Sequence, residues 1–119
     1  MRKPLRFLTV VLLALVVVGS AAAAELQGIL VDRHCSAKVV KAGQTAAQNH
    51  TRECALMPDC MAAGYGVLTP DGKFITLDSA GNKMAEAALK ASQKKNDLRV
   101  QVSGQVSGDS VKVANLKLL

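Results

Sequence analysis

Three cysteines, two histidines and two of the four methionines lie between positions 34 and 61 of a 119-residue chain: His34, Cys35, His50, Cys54, Met57, Cys60 and Met61. Sulfur and imidazole gathered into one segment support two kinds of chemistry. Two of the thiols pair as a disulfide that ties the segment down, or thiolates and imidazole together hold a soft or borderline cation. In the first case, closing a loop from Cys35 to Cys54 or Cys60 stabilises the fold by roughly 3.3 to 3.5 kcal/mol in the chain-entropy model, and the short Cys54 to Cys60 loop by roughly 2.4. One cysteine is then left over. In the second case Cys35, Cys54 and Cys60 with His50 form the Cys3His set that suits tetrahedral zinc. Met57 or Met61 nearby would suit Cu(I), and His34 and Met57 are further candidate ligands. Asp32, beside His34 and Cys35, is placed to orient a ligand from behind. The spacings HxxxC and CxxxxxC are not the paired CxxC knuckles that mark zinc sites, so disulfide and metal both stay open.

Enzymatic readings find little support. There is no CxxC for dithiol exchange, no CxxCH for covalent haem and no glycine-rich phosphate loop following a strand. Asp32, Glu53 and Asp59 are not spaced as an acid and base pair, and they read as solvating charges. A binding module is expected, with no cofactor beyond the zinc or copper just considered.

The compartment follows from the first 24 residues. Arg2, Lys3 and Arg6 form a basic head, Phe7 to Val18 is apolar apart from Thr9, and Ala22 and Ala24 supply the small side chains needed before a cleavage at Glu25. Residues 1–24 thus read as a signal peptide and 25–119 as one domain, exported to the periplasm or beyond, with no membrane attachment after cleavage. Exported thiols meet oxidising conditions. Removing the leader takes three basic residues and no acidic one, lowering the net charge from +6 to +3. A modest charge, one remaining Phe, one Tyr and no Trp argue against a nucleic-acid binder, which needs aromatic platforms in a basic groove. The same shortage of large side chains leaves a thin core that a covalent or metal tie would support. The partner is a small ligand, a metal or a protein, and the oligomeric state is not written in the sequence.

The elements that position the cluster follow from periodicity. Leu26 to Asp32 reads as a strand buried on both sides near its end. Tyr65 to Thr69 and Lys73 to Asp78 form a hairpin about Pro70-Asp71-Gly72. Ala80 to Ser92 is helical, with Met84, Ala85, Ala88 and Leu89 on one side and Asp78, Ser79 or Asn82 as the cap. Leu98 to Val106 and the segment from Val111 alternate as two more strands, with a change of phase between Val113 and Ala114 that predicts a bulge. The order β-β-β-α-β-β gives an α+β, mainly β fold. It is that of an OB-like five-stranded partly open barrel. Residues 33–63 form an oversized connection after the first strand. Within it Thr45 to Leu56 has helical composition ending before Pro58, which puts His50 and Cys54 on one helix face.

The runs GILVDRHC (Gly28 to Cys35), HTRECALMPDC (His50 to Cys60), GYGVL (Gly64 to Leu68), DGKF (Asp71 to Phe74) and VSG (Val102 to Gly104) resemble a family of small exported bacterial OB-like proteins of unknown function. The resemblance spans nearly the whole of residues 25–119. It implies a signal peptide, a β-barrel, and Asp32, Cys35, His50, Cys54 and Cys60 as the family-like positions, and it implies no activity.

Overall fold

The computed structural model describes residues 24–119. The signal peptide expected over residues 1–24 lies outside them except for Ala24, the first residue of β1. Ten elements follow in order: β1 (Ala24–Asp32), α1 (Arg33–Ala42), α2 (Gln44–Asn49), α3 (Arg52–Ala55), α4 (Pro58–Ala63), β2 (Tyr65–Leu68), β3 (Phe74–Leu77), α5 (Ser79–Ala91), β4 (Arg99–Ser107) and β5 (Ser110–Leu118). The hairpin, the long helix and the last two strands form where the periodicity places them, within one or two residues. Asp78 caps α5 by accepting from the Gly81 N–H at 2.9 Å. No helix among the described residues is long and apolar enough to cross a membrane.

The five strands form one mixed sheet that closes in a ring, β1-β2-β3-β5-β4 and back to β1. β1 is the shared strand. Its first part pairs antiparallel with β4, from Ala24 opposite Gly104 to Ile29 opposite Arg99. Its second part pairs with β2, from Ile29 opposite Leu68 to Asp32 opposite Tyr65. At the changeover a side chain on Gly28 would strike the Leu68 carbonyl and the Val67 side chain, so the two pairings can share one strand only because residue 28 has no Cβ. A short parallel contact between β3 and β5, Thr76 with Ser110 and Leu77 with Val111, completes the ring. The bulge falls at Ala114: Ser103 pairs with Asn115 and Gly104 with Val113, leaving Ala114 unpaired.

Two apolar clusters use the two faces of β1. Inside the ring, Leu30, Val67, Ile75, Leu77, Leu98, Val100, Val102, Val111 and Val113 meet Ala85 and Leu89 of α5. Outside it, Ile29, Val31 and Leu68 are covered by Val39 of α1 and Ala47 of α2, with Cys35 and Phe74 against them. The long connection is therefore a lid over the outer face of β1, which explains why the end of that strand is apolar on both sides.

That lid is fastened by hydrogen bonds at several points. The Arg33 N–H donates to Gly64 O at 2.8 Å, the Arg52 N–H to Lys95 O at 2.8 Å and the Asp97 N–H to Gln48 O at 2.8 Å. Gln44 Nε2 donates to Thr69 O at 2.8 Å, Arg52 Nε to Leu89 O at 2.6 Å and the buried Tyr65 hydroxyl to Ala55 O at 2.7 Å. Among the described residues no buried side-chain nitrogen or oxygen lacks a partner.

α5 packs its buried face into the core cluster, so truncating its largest fully buried anchor is costly. Leu89→Ala is expected to lower stability by about 2 to 5 kcal/mol, read as a lower urea midpoint, whereas Val40→Ala on the exposed side of α1 should change it by no more than about 0.5 kcal/mol.

Candidate metal centre

The Asp32 carboxylate lies at the end of β1 with no exposed surface. It is the N-cap of α1: its backbone is extended and its Oδ2 accepts the Cys35 N–H at 2.8 Å. This bond fixes the spacing Asp-x-x-Cys, because a capping side chain reaches the amide three residues on and brings that residue's side chain to the same end of the helix. The other oxygen, Oδ1, accepts from His50 Nε2 at 2.6 Å. The buried Cys60 thiol of α4 lies near enough to the same carboxylate to help stabilise its charge. An amide of α1 and an imidazole from the end of α2 thus converge on the carboxylate that β1 carries.

Their titration follows from this crowding. Burial by itself would raise the Asp32 carboxyl, but the bonds from His50, the Cys35 amide and Cys60 outweigh it and hold it down at about 2. Burial pushes the Cys60 thiol up to about 12, and the neighbouring carboxylate adds to the effect. Cys35 is raised for the same two reasons, burial first and the Asp32 charge second. Without a cation, both thiols keep their protons at neutral pH.

As donors, one carboxylate oxygen of Asp32, Cys35 Sγ and one ring nitrogen of His50 lie within 4.8 Å of one another. Two ligand atoms each 2.0 to 2.3 Å from a shared zinc ion are at most about 4.6 Å apart. The trio already stands close to that separation. Oxygen, nitrogen and sulfur donors at this spacing are the set a borderline divalent cation takes.

The structure separates the sequence candidates. Asp32, Cys35 and His50 come together, with Asp32 at the centre and not behind a ligand, while Cys60 is buried near Asp32 but is not one of the trio. Cys54, His34 and Met57 are exposed and stand outside the trio. The expected single helix over Thr45 to Leu56, with His50 and Cys54 on one face, is corrected. α2 stops at Asn49, His50 is extended at φ −65° and ψ 126°, and Thr51 caps a new helix by accepting the Cys54 N–H at 3.0 Å. The break turns His50 inward and Cys54 outward. Thr51 sits in a stretch of helical composition, but as a capping residue three positions before Cys54 it is the sequence signal of the break. All three cysteines carry free thiols.

A carboxyl held below its unfolded value contributes stability above that value and loses it as the pH falls through the folded one. The protein should therefore lose stability progressively from about pH 4 towards pH 2 as Asp32 takes up a proton. Asp32→Asn should lower stability at pH 7 and flatten this acid dependence in denaturation curves measured across that window. Comparison with protein-family models, with curated proteins and with solved structures finds no match to this chain.

Proposed function

We propose that this is an exported, OB-like cation-binding protein that takes zinc at the end of β1, through Cys35, His50 and Asp32 with Cys60 completing a tetrahedral set. The observation that carries the reading is the mutual approach of three chemically different donors around a fully buried carboxylate. Zinc is favoured over Cu(I) because an oxygen donor sits in the set and Met57, the candidate thioether, is exposed at the start of α4. Binding replaces the protons of the two thiols and the one shared between His50 and Asp32.

The ring order with its single helix between β3 and β4 supports the OB-like assignment, and the basic head, apolar run and small-residue end of residues 1–24 support export to the periplasm or beyond. The resemblance of the motifs to small exported bacterial proteins points the same way. A mature chain beginning at Glu25 in the exported fraction, read by intact mass, supports that part.

The reduced protein should bind one equivalent of Zn(II) in calorimetry and give thiolate charge-transfer absorbance with Co(II). Cys35→Ser and His50→Ala should each weaken binding by about 10- to 100-fold or more, while Cys54→Ser, His34→Ala and Met57→Ala leave it unchanged. Equal losses in the two groups, or no binding by the reduced protein, would overturn the reading.

A further inference from the structure

β3 closes the ring along only the first part of β5. Thr76 and Leu77 pair with Ser110 and Val111, the Asp78 N–H donates to Val111 O at 3.2 Å, and Asp78 Oδ1 accepts the Val113 N–H at 3.3 Å. Past Val113, among the described residues, no strand lies on that side of β5. We propose that this open edge, from Leu116 to Leu118, docks an extended polypeptide segment of alternating apolar and acidic residues as an additional strand. The surface uses none of the residues of the cation site.

Backbone geometry identifies the groups that point outward. The Leu119 N–H donates to Arg99 O at 2.8 Å, so Leu119, Lys117 and Asn115 turn their amides and carbonyls towards β4. Those of Leu116 and Leu118, between them, turn the other way. The alternation on β4 agrees: Arg99 serves β5, while the carbonyl of Leu98 before it accepts from Leu30 of β1 at 2.8 Å. Two amides and two carbonyls of β5 thus form a row to which an incoming strand can pair.

The groove beside that row sets the chemistry of the segment. Leu116 and Leu118 line one side and Ala88 and Ala91, near the end of α5, the other, around a volume of about 570 Å³. Two alanines leave room where longer side chains would cover the edge. Side chains alternate across a strand, so residues of the segment opposite Leu116 and Leu118 face this apolar groove, and the residue opposite Lys117 shares the other face with its ammonium group. Lys117 is exposed and, among the described residues, in no ion pair, so an acidic residue complements it. A second copy of β5 is the poorer fit. A two-fold axis at Lys117 sets that residue opposite its own copy, and like charges directly opposite repel.

The probe is an end-blocked peptide of alternating valine and glutamate, about six residues long, the usual length of a strand. Titrated into the isotope-labelled protein, it should shift the NMR signals of Leu116 and Leu118 and of Ala88 and Ala91. N-methylation of one alternate set of the peptide's amides should abolish binding, and of the other set should leave it intact. Lys117→Glu should weaken the glutamate probe by about 3- to 10-fold and favour a probe with lysine in place of glutamate. No binding of the unmethylated probe, or shifts confined to another surface, overturns the proposal. Equal binding by both methylated probes shows a contact other than strand pairing and overturns it as well, as does a Lys117→Glu protein that treats the two charged probes alike. A protein that sediments as a dimer with the Leu116 and Leu118 amides protected from exchange assigns the edge to a second copy, and the proposal falls.

Discussion

A negative charge with no contact to water is the constraint around which this protein is arranged. An ionised carboxylate in an apolar setting is costly unless it is hydrogen-bonded, and both oxygens of Asp32 are, one to an amide and one to an imidazole, with the Cys60 thiol adding to them. Each donor arrives on a different element. The carboxylate therefore holds the start of α1 and the end of α2 to the last residue of β1, and the lid over the outer sheet face cannot shift without exposing it or stranding it.

The ring supplies the rigidity against which that anchoring works. β1 changes partner halfway along its length, from β4 to β2, and is apolar on both sides just before it reaches Asp32. Tyr65, opposite Asp32 across the β1–β2 ladder, sends its hydroxyl to Ala55 in the connection, while Asn82 of α5 accepts the Tyr65 N–H at 2.9 Å. Core helix, sheet and lid are thus joined within one residue of the candidate site. Precision at such a site depends on supporting contacts of this kind more than on the donors themselves.

What the sequence revealed and what it hid have physical reasons. The strands, the Pro-Asp-Gly hairpin, the capped helix and the bulge near Ala114 are local patterns, set by alternation, turn chemistry and one phase change, and they were legible. Asp-x-x-Cys after an apolar strand was legible as a pairing of residues; that it is also a helix cap is what converts spacing into position. The partition of the cysteines was hidden. Cys35, Cys54 and Cys60 each occupy the third position of a helix, after Asp32, Thr51 and Met57 at the caps. Identical local settings give no hint of which thiol faces inward. That depends on where each short helix docks, and the break at His50 and Thr51, created by a cap inside an otherwise helical composition, decides it.

The double allegiance of β1 also orders events in time. Its first half finds its partner in β4, across most of the chain's length, so the ring cannot close until nearly all of the polypeptide is available to fold. Contacts so distant in sequence are slow to form. Asp32, Cys35, His50 and Cys60 all lie within the early part of the same chain, and their knot requires only β1 and the segment directly behind it. The site's own contacts can consequently form before the sheet that will bury them is complete, so the lid is local in sequence where the ring is not.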